Sequence, residues 1–455
     1  MTIFRFKARS KSPHPNPLPQ AGEGILYLIF LFLIFFTINI NAAAADLNTV
    51  FFKALSSDPT LRIADATKAM QQENVPIQRA ALLPNVSAES NYTYQPQTDD
   101  SGINPNNTSW SVTATQPLFN ANSWFSYQSS KISSQAADYT YSAAIQNLII
   151  RVTQAYFAVL QAQDELRFQQ EQQQSLVAIL KLNKSLFRAG LAKRVDVDSA
   201  EAAVASNISA VLNIKNQLQQ TQDALTAITH TDYATLAVLQ TTVPLISPQP
   251  ASLQTWLTTV NDKNLIVLAD RYMASADKVG VNAQAANHYP SLSANVGYTQ
   301  NVENSPYNLS ATGANAGVTL SVPIFAGGGT SAHTQQAAYQ YEKDLDQIDL
   351  DLQAALQQAK DNFYALENGI EQVQADRASL SITKRTLTST QISYRAGLSN
   401  TNIQSVITAQ QNLYQAESNL AKDQYAYVIS LLKLKQAAGT LSVDDVEQIN
   451  RWLVK

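Results

Sequence analysis

Leu83-Pro84-Asn85-Val86-Ser87-Ala88 returns 206 positions later as Tyr289-Pro290-Ser291-Leu292-Ser293-Ala294. Two further landmarks keep that offset. Gln116-Pro117-Leu118-Phe119 matches Val322-Pro323-Ile324-Phe325, and Phe187-Arg188-Ala189-Gly190-Leu191 matches Tyr394-Arg395-Ala396-Gly397-Leu398 with one residue added. A long internal repeat decides architecture before any local pattern does. Past its N-terminal segment, the chain is two copies of one unit.

Each copy changes period twice. Residues 59 to 82 read as a helix that Pro84 ends, and strict alternation follows. Val86, Ala88, Ser90, Tyr92 and Tyr94 fall on one face, with Ser87, Glu89, Asn91 and Thr93 on the other. Trp110, Val112 and Ala114 then alternate with Ser111, Thr113 and Thr115. In the second copy Leu292, Ala294, Val296 and Tyr298 oppose Ser293, Asn295, Gly297 and Thr299, and Val318, Leu320 and Val322 oppose Gly317, Thr319 and Ser321. Period two with apolar and small polar faces suits a strand between lipid and a wet lumen. A soluble hairpin with one buried face gives the same pattern, and only the export signal below tilts the choice to a barrel. Tyr92, Tyr94, Trp110 and Tyr298 are interfacial anchors in the first case and ordinary packing in the second.

Beyond the strands the rhythm is helical. From about Ser123 to Phe187 there is no proline or glycine, and Ile145, Leu148, Val152, Ala155, Val159, Ala162 and Leu166 recur at spacings of three and four. Leu345, Ile348, Leu352, Ala355 and Ala359 repeat that rhythm between Ser331 and Tyr394. This is a coiled-coil seam. Some 65 residues at 1.5 Å rise make a rod of roughly 100 Å. Each rod ends at Arg-Ala-Gly-Leu, where glycine suits a helix C-terminus, and a second helix returns over about 197–228 and 404–438. The expected fold is therefore mainly α with a transmembrane β-barrel part, in two tandem repeats, each a β-hairpin plus a long coiled-coil helical hairpin.

The N-terminus supplies the compartment. Arg5, Lys7, Arg9 and Lys11 precede an apolar run from Ile25 to Phe36, and Asn41-Ala42-Ala43-Ala44-Ala45-Asp46 follows. That order makes residues 1–45 a secretory signal peptide, cleaved after Ala44 or Ala45. The competing reading, a membrane anchor, needs roughly 20 apolar residues. Pro/Gly-rich residues 12–24 sit awkwardly between the basic and apolar parts, which a start codon assigned too far upstream explains. No later stretch reaches 18 consecutive apolar residues, so a spanning mature chain is expected to do so with strands in a closed barrel.

Composition excludes several functions. The chain holds 455 residues, of which 15% are charged, with a net charge of −4, which leaves no basic footprint for nucleic acid. With no cysteine, thiolate catalysis, cysteine-ligated metals and a lipidated N-terminal cysteine are all out. His14, His230, His288 and His333 share no ligand spacing, and Asp344/Asp346 and Asp444/Asp445 read as solvated helix faces. Gly327-Gly328-Gly329-Thr330 lacks the lysine of a phosphate loop, and its counterpart in the first copy is Asn120-Ala121-Asn122-Ser123, a turn and cap. No catalytic residue, cofactor or metal is expected. Pro84, Pro117, Pro290 and Pro323 are expected to flank the strands at the four strand–helix junctions.

Four strands per chain are too few to close a barrel, and an open sheet cannot rest in lipid with unpaired edges. Several chains must share one barrel, and the helix seams likewise need neighbours.

With Leu82-Leu83-Pro84 leading into Tyr92-Thr93-Tyr94, Gly190 followed by Asp196-Val197, and Gly439-Thr440-Leu441 closing the last long helix, the chain resembles the TolC-like outer-membrane efflux protein family over about 46–452. The resemblance implies a homotrimer with one twelve-stranded outer-membrane barrel, a helical tunnel across the periplasm and an equatorial girdle. It implies partners too: a periplasmic adaptor, an inner-membrane transporter and outer-membrane lipid. The implied role is the exit duct of a tripartite efflux or type I secretion system.

On that analogy 46–240 is the first repeat (strands about 86–94 and 109–118, helical hairpin about 123–228) and 241–262 an equatorial linker. The second repeat is 263–440 (strands about 291–300 and 314–322, helical hairpin about 331–438), and 441–455 is a C-terminal equatorial helix. The girdle would take in 231–261 and the helix near Val443 to Leu453.

Family members carry a ring of aspartates at the turn of the second hairpin. Here Ser405 and Thr408 hold those places, and no acidic or basic residue lies between Leu398 and Tyr414. From Gly397 to Ala409 is also two residues longer than from Gly190 to Ala200. The gate set is therefore Gly190, Lys193, Arg194, Asp196, Asp198, Gly397, Asn400, Asn402, Ser405 and Thr408, held by Arg194 or Lys193 reaching Asp196 or Asp198 on a neighbouring hairpin. Two rivals stay in play: a periplasmic adaptor of the same machinery, which needs a lipoyl-like domain, and a secreted enzyme with coiled-coil arms, which needs a nucleophile–base pair.

Overall fold

The computed structural model describes residues 44–94, 106–240, 242–304, 311–396 and 402–454. Residues 1–43, which hold most of the expected leader, and the gate residues Gly397 and Asn400 lie outside the described residues.

Two short helices open the chain, and aspartates start both. Asp46 accepts a hydrogen bond from the Thr49 N–H at 2.9 Å and caps α1 (Leu47–Ser57). Asp58 does the same for Leu61 at 2.8 Å in α2 (Pro59–Ala80), where Pro59 needs no hydrogen-bond partner for its nitrogen. The first hairpin is β1 (Asn85–Thr93) with β2 (Asn106–Phe119). Asn120 then caps α3 (Ala121–Arg188), which turns into α4 (Arg194–Thr229). A connecting segment holds β3 (Val238–Leu239) and α5 (Leu253–Lys263). The second unit follows as α6 (Leu265–Ala285), β4 (Ser291–Asn304), β5 (Ala311–Ser321), α7 (Gly329–Arg395) and α8 (Ile403–Ala437). The chain closes on α9 (Val443–Asn450) and β6 (Leu453–Val454).

The four long strands make one antiparallel sheet in the order β1-β2-β4-β5. Residues directly opposite in an antiparallel ladder share a face, so the register tests the alternation. One row reads Val86, Ala114, Val296, Ala316 and the next Ala88, Val112, Tyr298, Ala314. The rows between them read Ser87, Thr113, Gly297, Asn315 and Glu89, Ser111, Thr299, Gly313. Over these four rows one face is mainly apolar and the other mainly polar; beyond them the apolar face also takes in Ser90, Gln116, Gln300 and Thr312. Neither is covered within the chain: Val86, Val296, Val318 and Leu320 are 58–67% exposed.

Pro84 and Pro290 immediately precede β1 and β4, and Pro323 lies just beyond β5. Pro117 departs from that expectation. It sits inside β2, opposite Ser293, where the register slips before Phe119. A bulge already breaks the ladder there, so the missing N–H leaves no bond unmade. Two further boundaries are drawn more finely by the structure. The expected equatorial linker 241–262 contains the start of α5 at Leu253; and the C-terminal helix stops at Asn450, after which Leu453 and Val454 pair with Leu239 and Val238 as a strand.

The core lies where α3 crosses the chain's own ends. Tyr156 is fully buried, and its hydroxyl donates to the carbonyls of Ala237 at 2.6 Å and Ala45 at 3.1 Å. Phe157 stacks on Tyr425 of α8 with ring centroids 5.2 Å apart, and the Tyr425 hydroxyl donates to Asp164 Oδ2 at 2.7 Å. Arg151 grips buried Asp58 with both terminal nitrogens, at 3.1 and 2.6 Å. Burial pushes that carboxyl up, but the guanidinium and the Leu61 N–H outweigh it and hold its pKa below the ordinary value. At the end of α8, Gly439 has φ +68°, and a Cβ there would lie 1.9 Å from the Lys263 carbonyl oxygen, so only glycine lets α8 meet the α5–α6 corner.

Candidate functional site: the hairpin tips

The turn from α3 to α4 forms because Gly190 takes φ +75°, which lets the Leu191 N–H reach back to the Leu186 carbonyl at 2.8 Å and the Gly190 N–H to Phe187 at 3.0 Å. Leu191 is left 76% exposed. Just beyond it the charges begin, and they are spent locally. Asp196 Oδ2 accepts from the Lys193 N–H at 3.1 Å, which ties down the start of α4, and Arg194 Nε donates to Asp198 Oδ1 at 2.9 Å, one turn along the same helix. Each carboxylate thus has a partner within its own hairpin. A partner one turn away is reached at little entropic cost, and the exposed Arg194–Asp198 pair is weak. Lys184 of α3 also bonds Glu201 of α4 at 2.7 Å and holds that carboxyl below its usual range.

The second tip carries no charged residue between Leu398 and Tyr414. Asn402 caps α8, its Oδ1 accepting from the Ser405 N–H at 2.9 Å and the Ser405 hydroxyl at 3.0 Å. Ser405 is half-buried and Thr408 exposed, while Ile403, Val406 and Ile407 turn inward.

What joins the two tips is apolar contact plus two polar links, the first from the Ser175 hydroxyl of α3 to Gln410 Oε1 of α8 at 3.1 Å. Leu176 of α3 packs with Ile403 and Ile407 of α8, flanked by Ile179, Ala203, Val204 and Tyr394. The Tyr394 hydroxyl, on α7, donates to Asn183 Oδ1 at 2.7 Å, on α3, and Asn183 is fully buried. Burial raises the Tyr394 pKa above its ordinary value despite that bond, so the donor stays protonated. Sequence reasoning misses this link, although a signal is present. The repeat sets Phe187 against Tyr394, so the second copy adds one hydroxyl at a matched position. The contact is thus a few apolar side chains and two hydrogen bonds, each worth about 1 kcal/mol net.

The outer membrane efflux protein family matches residues 51–230 and 260–440, one stretch for each repeat. The chain is 30% identical to outer membrane protein TolC of Vibrio cholerae over 419 residues, which cover 90% of this chain and 94% of that protein. It is 25% identical to the protease secretion protein PrtF of Dickeya chrysanthemi, covering 90% of this chain and 92% of the relative. Among solved structures, the CmeC outer membrane channel of Campylobacter jejuni superposes with a TM-score of 0.73 at 18% identity, covering 90% of both chains. The open-state MtrE channel of Neisseria gonorrhoeae gives 0.73 at 19%, covering 87% of this chain and 90% of that one. With a doubled unit, a two-faced four-stranded sheet, long helical hairpins and a family match over most of its length, the chain belongs to the outer membrane efflux protein family.

Proposed function

We propose that three copies of the chain close into one passive conduit across the outer membrane and periplasm. The observation that carries this reading is the sheet. Its edges, β1 and β5, have no partner within the chain among the described residues. Because four strands alternate in direction, β5 of one copy meets β1 of the next antiparallel, and rotation closes the ring. Two copies give eight strands, a barrel whose interior side chains fill; three is the smallest number that leaves a wet lumen. The exposed stripe Ile63, Met70, Ile77 on α2, spaced by sevens, supplies a matching seam for the helices.

The apolar face meets outer-membrane lipid, and the segments bearing β3, α5, α9 and β6 form the girdle. The tips face a periplasmic adaptor and an inner-membrane transporter, and the passage serves efflux or type I secretion, as in relatives named for protease secretion. Its residues line and gate a passage; none performs covalent chemistry. A periplasmic adaptor has no use for a four-stranded sheet with an uncovered, mainly apolar face.

Reconstitution in planar bilayers tests this. Purified protein should be trimeric in detergent, give discrete conductance steps, and show little block by multivalent cations, because the second tip lacks acids. A lone, non-conducting subunit overturns the conduit; conduction with nanomolar cation block overturns the reading of the tip alone.

A further inference from the structure

Three pairs of acidic side chains meet across helix seams, and α7 supplies one member of each. Asp270 of α6 faces Asp351, Asp277 of α6 faces Asp344, and Asp376 faces Asp423 of α8 across packed helices. The first two pairs share one register: seven residues forward along α6 match seven residues back along α7, so both lie on a single heptad strip. The third lies 25 residues further along α7, close to seven turns away. Asp376 is 7% exposed. One oxygen each of Asp270, Asp344 and Asp376 is buried and meets no donor.

Two ionised carboxylates only accept, so facing pairs of this kind repel; one proton turns one of them into a donor and removes one charge. We propose that each pair shares a proton, and that together they form a latch along α7 that is closed in acid and released as the surrounding water turns neutral. The latch works within one chain, whatever the number of copies.

Gln347 donates to Asp351 Oδ2 at 2.7 Å and Gln340 to Asp344 Oδ1 at 3.0 Å, yet neither meets the orphaned oxygen of Asp270 or of Asp344. Lys68 of α2 lines the groove beside Asp270 but is paired with Asp138 at 2.9 Å. Asp344 also adds its charge to Asp270. Gln340 and Lys343 of α7 favour ionised Asp277 without offsetting its burial and Asp344, while Asn74 and Gln78 of α2 and hydroxyls of α3 line the groove beside it. Gln372 donates to Asp376 Oδ1 at 3.2 Å, leaving Oδ2, and Arg377 is turned to the Val243 carbonyl at 3.3 Å.

Burial first, then the facing acid, pushes Asp270, Asp277 and Asp376 up to about 6. A carboxyl whose pKa is higher folded than unfolded binds its proton better when folded. Its stabilisation is complete below the ordinary value of 3.8 and is gone once pH has passed about 6.

Hydrogen exchange on the assembled protein tests the latch, with a chelator present throughout so that no divalent cation bridges the pairs. After correction for intrinsic exchange rates, the segments around 270–277 and 344–351 should open about tenfold more readily per pair at pH 7.5 than at pH 5. The double variant Asp344→Asn/Asp351→Asn, whose amides donate without ionising, should lose most of that dependence, keeping only what burial of Asp270 and Asp277 contributes. Asp423→Asn makes the same test around Asp376 if the double variant fails to assemble. Wild-type protection that ignores pH, or a variant that keeps the full dependence, overturns the proposal.

Discussion

The two long helices, α3 and α7, are copies in sequence but not in surroundings. At the repeat offset, Phe157 and Leu160 correspond to Phe363 and Leu366, and all four are at most 3% exposed. Around them the copies diverge. Val152, Tyr156 and Val159, at 0–2% exposure, stand where α7 has exposed Gln358, half-buried Asn362 and exposed Ala365. α3 packs against α1, α2, α4, α6 and α8, whereas α7 packs chiefly against α8, α6 and α5. Both helices keep one buried stripe; only α3 has a second. A duplicated unit therefore folds into an asymmetric layer, with α3 as its spine and α7 at its rim, and the polar side of α7 is what the chain leaves for water or another copy.

Exchanging matched residues should break this contrast most sharply. Val152→Gln puts an amide into the core and should cost about 3–5 kcal/mol, lost apolar burial plus an unsatisfied polar group. The reciprocal Gln358→Val, on the exposed side of α7, should shift stability by less than about 0.5 kcal/mol. Urea unfolding of both variants measures the difference, and similar costs would show that the helices are equivalent after all.

A second contrast is electrostatic. α3 meets its buried acid with a cation, through Arg151 and Asp58, whereas three acids of α7 face other acids, although its Lys384 does pair with Glu417 of α8 at 3.6 Å. Arg151→Ala should cost about 2–4 kcal/mol at pH 7 by stranding a buried carboxylate. Because the Asp58 pKa is held below its ordinary value, the pair's contribution is present above about 4 and is lost as pH falls. Wild type should thus lose more stability than the variant between pH 6 and 3, opposite in sign to the acid pairs of α7.

The smallest effect belongs at the tip. Tyr394→Phe restores the residue type of the first copy and removes the link to Asn183, a loss of about 1 kcal/mol. It should appear as a higher open fraction in single-channel records, with global unfolding unchanged.

Much of the fold is legible in the amino-acid string. The offset of 206 positions, the alternation in Val318-Thr319-Leu320 and the spacing from Ile145 to Leu166 each follow from one chemical period, and such periods survive in one dimension. The place of Pro117 inside β2 is not legible, because a bulge is a property of the partner strand, which the local sequence does not contain. At the tip, the charge of Arg194 is visible, but its shortest route to a carboxylate, one turn along its own helix, depends on rotamer and pitch. Asp344 reads as part of a solvated face, since nothing near it in sequence reveals that Asp277 lies opposite.

The doubled unit, the strand faces and the long helical hairpins are properties of the string alone. Each is written in spacings of two, three and four that the backbone converts directly into a surface. Tertiary packing settles the rest: which long helix becomes the spine, which carboxyls face one another and which hydroxyl bridges the tips. Those outcomes depend on pairs separated by tens to hundreds of residues, such as Asp277 and Asp344 or Asn183 and Tyr394, and a contact between distant residues exists only once the chain has closed around it.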